Sequence, residues 1–161
     1  MADDAVSRAE FLGGCELFRG FSETGLLIVS RICRQKSIPA STPIFVQNMV
    51  SDSLYIVKSG KVALSIKARS GAERICGYLS PAESFGELAL LFEGRRQVTA
   101  TAVEDCELVE ITRRDFAALQ KQKPQACLKL MMNIVNEFGK RLASAGGVLS
   151  SLLADKLDTI T

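Results

Sequence analysis

The spacing of apolar residues divides the chain into helix, then strands, then helix. From about Ser7 to Ser30 the residues Phe11, Leu12, Leu17, Phe18, Leu26, Leu27 and Ile28 are broken into groups by Gly13-Gly14 and Gly20. That pattern predicts two short helices. The second opens at Ser22, whose hydroxyl can accept an orphan backbone N–H, with Glu23 facing the positive helix end. Pro39 and Pro43 end the helical stretch, because proline lacks the N–H a helix interior needs. From Ile44 to Ile111 the signal is β. Leu54-Tyr55-Ile56-Val57 is a compact buried run, and Lys61 to Lys67 alternates polar or small with large apolar residues, as a half-buried strand does. Arg74 to Leu79, Gln97 to Val103 and Cys106 to Ile111 read as further strands, with turns at Ser59-Gly60, Ser70-Gly71 and Glu104-Asp105. Short strands at close spacing predict a small barrel or sandwich.

The helical period returns at Thr112, which with Asp115 forms a capped start for a helix reaching about Lys121. Pro124 suits the first turn of a last long helix, from about Gln125 to Ala143. Gly146-Gly147 interrupts it, and Val148 to Leu157 can resume it. Leu128, Met131, Val135, Phe138, Leu142, Ala145, Leu149 and Leu152 alternate steps of 3 and 4, a coiled-coil-like seam. A second stripe, Cys127, Leu130 and Ile134, covers the first part only. One stripe can pack on the barrel while the other meets a second subunit as a homodimer. Docking of the whole helix on its own barrel is the alternative.

Composition narrows the chemistry. At 161 residues, 47% apolar and 24% charged, the chain suits one globular domain with a proper core. The formal charge is +2, so no overall field points toward nucleic acid. Histidine is absent. That removes histidine-based nucleophile pairs, metal sites and pH switches, and no catalytic residue, metal or cofactor is expected. Five cysteines, none in a C-x-x-C pair, predict reduced thiols in a cytoplasmic protein. The N-terminus MADDAVSRAE is acidic and polar, unlike a secretory signal. No apolar run approaches the roughly 20 residues a membrane helix needs.

The informative stretch is Ser84-Phe-Gly-Glu-Leu-Ala-Leu-Leu-Phe-Glu-Gly-Arg-Arg-Gln-Val-Thr-Ala-Thr-Ala102. A strand ends at Phe85, a short apolar helix follows Gly86, and a second strand follows two arginines. Gly86 allows close approach of backbone to a ligand. Leu88 and Ala89 open a helical turn whose N–H groups are without internal partners, an anion site in outline. Arg96, ten positions after Gly86, can return to pair with phosphate oxygens. Glu87 would repel an anion, unless the ligand also presents a hydroxyl there. Phosphate beside a ribose hydroxyl meets that requirement. Taken singly, Glu87 reads better as a helix-dipole partner and Arg96 as a surface arginine.

These residues resemble the phosphate-binding cassette of cyclic nucleotide-binding domains: FGELALL, then R-x-x-T at the family's distance. Leu17-Phe18-Arg-Gly-Phe21, Ile44-Phe45-x-Gln47, Ser53-Leu54-Tyr55-Ile56-Val57-x-x-Gly60-x-Val62, Pro124 and Lys140-Arg141-Leu142 extend the resemblance over about Glu16 to Ala143. It implies a mainly β fold with flanking helices, a jelly-roll-like β-barrel (double-stranded β-helix), binding cAMP or cGMP. Residues 1–15 would lead in, 16–143 would form the binding domain, and 144–161 a helical extension. The resemblance gives Glu87 the ribose 2′-hydroxyl and Arg96 the phosphate. Gly86, Leu88 and Ala89 supply cassette backbone, Gln97 contacts or partly fills the pocket, and Phe85 and Val98 form pocket wall. Arg95 faces solvent or helps electrostatically.

Four positions depart from the family pattern. Ser41, Asn48 and Ala82 stand where turn glycines are usual, and Gln97 stands where a small residue usually follows the arginine. The first three predict adjusted loops around a preserved barrel. Eighteen residues follow Ala143, too few for a DNA-binding module with its own recognition helix. The expectation is a stand-alone sensor that signals to an unknown downstream protein through its C-terminal helices, with a hinge at Ala143–Gly147. The alternative is a ligand-free barrel kept as an interaction or dimerisation scaffold.

Overall fold

The computed structural model describes residues 2–147. The expected helix from Val148, and the seam positions Leu149 and Leu152, lie outside them. Among the described residues, ten strands form two four-stranded antiparallel sheets and a two-stranded ribbon. One sheet orders β1 (Arg34–Ile38), β10 (Cys106–Thr112), β4 (Ser53–Ser59) and β7 (Ser84–Phe85). The other orders β2 (Pro43–Phe45), β9 (Thr99–Ala102), β5 (Val62–Lys67) and β6 (Glu73–Leu79). The ribbon pairs β3 (Val50–Ser51) with β8 (Gly94–Arg95).

The continuous apolar run of β4 follows from its position. It is covered on both faces, so both sets of alternating side chains are buried. Leu54 and Ile56 face the helices, together with Val109 and Ile111 of β10. Tyr55 and Val57 face the barrel interior, with Phe45, Val62, Phe85, Ala100 and Leu108. On the helical side lie α1 (Ala2–Gly13), a 3₁₀ turn (Glu16–Phe18), α2 (Glu23–Ser30), α3 (Arg113–Gln122) and α4 (Pro124–Ser144). Ser22 and Thr112 cap α2 and α3 as expected, accepting from the backbone N–H of Gly25 (3.1 Å) and Asp115 (3.1 Å). Arg8 closes the other end of α2, donating to the Ser30 and Cys33 carbonyls at 2.8 and 3.0 Å. Among the described residues no helix is long and apolar enough to cross a membrane.

On α4 the two apolar stripes separate. Cys127, Leu130 and Ile134 are buried in the helix-side core, and Met131 packs against it. Leu128, Val135, Phe138 and Leu142 of the seam are exposed, with Met132 beside them. Asn133 fastens the helix to the 3₁₀ turn by donating to the Leu17 and Arg19 carbonyls at 2.8 and 3.1 Å. The helix ends at Ser144, ahead of Gly146-Gly147.

Two differences from the sequence reading have clear causes. Strand β1 gives no apolar alternation, because Arg-Gln-Lys-Ser-Ile lies at a sheet edge with mostly exposed side chains. Lys36 ion-pairs instead with the buried Glu110 of β10 at 2.9 Å. The loops at Ser41, Asn48 and Ala82 are not adjusted away from the glycine geometry. All three residues hold left-handed backbone, with φ of 63°, 72° and 73°. Asparagine tolerates this readily, whereas serine and alanine do so at a cost of about 1–2 kcal/mol. Barrel hydrogen bonds hold the turns in place. The Ala82 N–H donates to the Val57 carbonyl (2.8 Å) and the Ser41 N–H to the Ala102 carbonyl (2.8 Å).

Ala82→Gly should therefore stabilise the protein by about 1 kcal/mol in chemical denaturation, because relief of strain outweighs the added freedom of the unfolded chain. The thiols provide a second test. Cys76 is exposed, while Cys15, Cys33, Cys106 and Cys127 are buried, and burial pushes Cys15 up to about 11 and Cys33 to about 12. One thiol, removed by Cys76→Ser, should react rapidly with a disulfide reagent in the native protein, and the other four only on unfolding.

Candidate functional site

Strand β7 pairs with β4, placing Phe85 opposite Tyr55. The next residue, Gly86, turns left-handed (φ 74°) and leads into a 3₁₀ turn, Glu87–Leu90. The chain returns through β8, whose Val50↔Arg95 pairing with β3 brings Arg96 under the turn. The loop before β3 fixes that approach from both sides. The Asn48 N–H donates to the Arg96 carbonyl, and the Arg96 N–H to the Met49 carbonyl, both at 2.8 Å. Between these segments lies a cavity of about 370 Å³. Phe85, Gly86, Glu87, Leu88, Ala89, Arg96, Gln97 and Val98 all line it.

Arg96 is the most constrained of them. It is 5% exposed, and its guanidinium lies 4.0 Å from the centre of the Phe45 ring. Phe45, Tyr55 and Phe85 form an aromatic cluster with ring centres 5.4–6.0 Å apart. The Nη2 group donates to the Ser53 carbonyl at 2.7 Å. Nε and Nη1 are buried and have no hydrogen-bond partner among the described residues. Burial disfavours the charge and lowers the arginine's pKa, opposed by Tyr55, Asp52 and Glu110. Tyr55 is itself pushed up to about 12, by burial and then by Glu110. The reason for glycine at 86 is visible here: a Cβ at that position would collide with Arg96 Nη1 and stand 3.1 Å from the Ser53 carbonyl oxygen.

Glu87 is held from two directions. Its Oε1 accepts the Ser84 hydroxyl at 2.9 Å and ion-pairs with Arg141 Nη1 at 2.7 Å. Arg141 also donates through Nη2 to the Ser84 carbonyl at 2.8 Å. Arg141 and Phe138, one turn apart on α4, both line the cavity. In the sequence Phe138 falls on the seam stripe, open to a second subunit or to the chain's own barrel, and Arg141 has no expected role at the site. The spacing of 3 between them was the available signal.

Other expectations change in detail. The Ala89 N–H is not free, because it donates to the Gly86 carbonyl at 3.1 Å. The turn after Gly86 has four residues, so its dipole is small. Gln97 lines the cavity without filling it: the side chain is exposed and donates to the Arg95 carbonyl at 3.1 Å. Arg95 is exposed, also lines the cavity and donates to the Asn48 carbonyl at 2.7 Å.

A glycine-turned cassette over a buried arginine, with a carboxylate beside it, opens onto one cavity of a β-roll. Comparison with known proteins gives the class its name. The profile of the "Cyclic nucleotide-binding domain" matches residues 35–123, and the chain belongs to that family. It is 39% identical to the "Cyclic AMP receptor protein" of Thermus thermophilus over 111 residues, covering 69% of this chain and 51% of that one. The chain thus spans about half the length of the curated relatives it matches. The crystal structure of the Thermus thermophilus catabolite activator protein superposes with a TM-score of 0.76 at 35% identity, over 85% of this chain and 62% of that chain. The regulatory domain of Toxoplasma gondii PKA, solved with cAMP, gives 0.65 at 33% identity over 73% and 45%.

Gly86→Ala should lower stability by more than about 1 kcal/mol without any ligand, since it adds positive-φ strain to the collision with Arg96. At Gly94 a Cβ would meet only the Phe92 ring at 3.7 Å. Gly94→Ala should stay within about 0.5 kcal/mol of wild type in the same denaturation experiment.

Proposed function

We propose that the protein binds a cyclic mononucleotide, cAMP or cGMP, in the cavity between the cassette and α4, and acts as a regulatory rather than a catalytic module. One observation carries this reading: a buried guanidinium at the cavity with two N–H-bearing nitrogens unpartnered among the described residues. Buried polar groups are nearly always paired, and leaving one unpaired costs about 1–3 kcal/mol. An anionic phosphate would meet both nitrogens with charge-assisted bonds. The volume of about 370 Å³ lies in the range of small-molecule sites.

In this reading Arg96 takes the phosphate, helped by the backbone of Gly86, Leu88 and Ala89. Glu87 accepts the ribose 2′-hydroxyl, and Phe85 and Val98 wall the pocket beside Gln97. Phe138 closes it from α4. Residues 16–143 form the binding unit. The relatives are named as cAMP receptors and cAMP-activated transcriptional regulators. For this chain we propose a cytoplasmic sensor that signals through its C-terminal helices to another protein. The exposed α4 seam, Leu128, Val135 and Leu142, is proposed to meet a second copy. Val135→Glu should then shift a dimer toward monomer in sedimentation at fixed concentration.

Calorimetric titration tests the ligand. At free nucleotide about 100-fold above Kd, the stabilisation should be about 2.7 kcal/mol. Arg96→Ala should weaken binding by at least about 100-fold and Arg95→Ala by less than about threefold, because only the first removes a buried charge-assisted contact. No binding of either nucleotide at millimolar concentration would overturn the proposal in favour of a ligand-free scaffold.

A further inference from the structure

A second set of charges lies inside the barrel, close to Arg96. On β10, Val109 and Ile111 face the helices and Leu108 faces the barrel, so the alternation of the strand turns Glu110 inward as well. Glu110 is 4% exposed. It stands opposite Tyr55 across the β10–β4 ladder, where side chains on one face are direct neighbours. Lys36 lies diagonally across from it, opposite Leu108 on the edge strand β1, and its Nζ reaches Glu110 Oε1 at 2.9 Å. Arg34, directly opposite Glu110, is turned instead to Asp115 at 2.8 Å. The Tyr55 ring connects this pair to the site. Its centre is 5.9 Å from Lys36 Nζ and 5.8 Å from the Arg96 guanidinium carbon. Arg96 lines the cavity, whereas Glu110 and Lys36 are not among its lining residues. The pair can therefore act on a bound anion only through its field.

We propose that Glu110 and Lys36 set the anion affinity of the site from outside it: the buried Glu110 carboxylate offsets the buried charge of Arg96 in the ligand-free protein and opposes an anion that enters the cavity, and Lys36 limits that opposition. The inference rests on the cyclic nucleotide reading above, which supplies the anion as a phosphate. Coulomb's law fixes the direction of each effect. A carboxylate near the guanidinium favours the cation and disfavours a second anion beside it. Its removal leaves Arg96 less well compensated until a phosphate arrives, so the ligand-free protein loses stability and binding tightens. Loss of an ordinary structural contact would weaken both. Removal of Lys36 alone leaves the carboxylate uncompensated and weakens binding, although no group lining the cavity has changed. At the effective dielectric of buried sites, one unit charge in a neighbouring shell shifts an equilibrium several-fold. Lys36 is half exposed, so solvent reduces its share.

The test is calorimetric titration of the full chain with cAMP and with cGMP, for wild type, Glu110→Gln, Lys36→Met, Lys36→Arg and the Glu110→Gln/Lys36→Met double variant. With the nucleotide that wild type binds more tightly, Glu110→Gln should tighten binding by about three- to tenfold. The same variant should lower the midpoint of chemical denaturation without ligand. Lys36→Met should weaken binding by at least about twofold, and Lys36→Arg, which keeps the charge, should return it toward wild type. In the Glu110→Gln background the lysine should no longer matter, because it acts through the carboxylate; its removal there should change affinity by less than about 1.5-fold. Weaker or unchanged binding by Glu110→Gln overturns the inference and leaves the binding function standing. So does a loss on Lys36→Met that is equal in both backgrounds. If Glu110→Gln does not fold, the lysine variants decide: unchanged affinity in Lys36→Met overturns the inference. Wild-type protein that binds neither cyclic nucleotide overturns the functional reading, and this inference with it.

Discussion

Arg96 carries a full positive charge into a barrel where 5% of its surface meets solvent, and the surrounding structure is arranged to hold it. An isolated buried cation costs several kcal/mol, which neighbouring groups must offset. Here the offset is partial. The Phe45 face and the Ser53 carbonyl meet one side of the guanidinium, and the acidic side chains of Asp52 and Glu110 favour its charge from a distance. Nε and Nη1 remain unmatched. Gly86 is required because any Cβ there would occupy the space of Nη1. The left-handed turn at Asn48 follows from the same constraint, since its N–H and the Met49 carbonyl grip the Arg96 backbone. Sequence choices at separated places thus serve one buried group.

The helical layer serves the core and the site with different parts of one helix. The first half of α4 buries Cys127, Leu130 and Ile134 under the barrel and cannot leave without opening the core. Its last turns make few apolar contacts and are held by Arg141 on Ser84 and Glu87. Segments with little buried apolar surface are those that open at low free energy. The polar clasp therefore lies on the part of α4 with the least buried apolar surface.

Much of this architecture was legible in the sequence because local chemistry and tertiary position agree. Ser22 and Thr112 are strong caps, and the β4 run is apolar because it is covered on both faces. The cassette is a contiguous motif, and its eight expected residues converge on one cavity. Three features were not legible. Strand β1 is stabilised by pairing with β10 and by Lys36–Glu110, neither of which leaves an apolar period. Ser41 and Ala82 keep a glycine-like backbone because barrel hydrogen bonds override local preference. Arg141 meets Glu87 across 54 positions of sequence, and a basic residue on an exposed helical face reads as solvated until the fold shows what lies opposite.

Two nitrogens of Arg96 are unmatched among the described residues, and their state can be observed directly. In a nitrogen-detected spectrum of arginine-labelled protein, the Nε–H resonance absent from Arg96→Lys belongs to this side chain. On addition of cAMP or cGMP it should move downfield and its solvent exchange should slow, while the signal lost in Arg95→Lys changes little. A nucleotide that binds and leaves the Arg96 resonance unmoved would contradict a phosphate contact at this side chain.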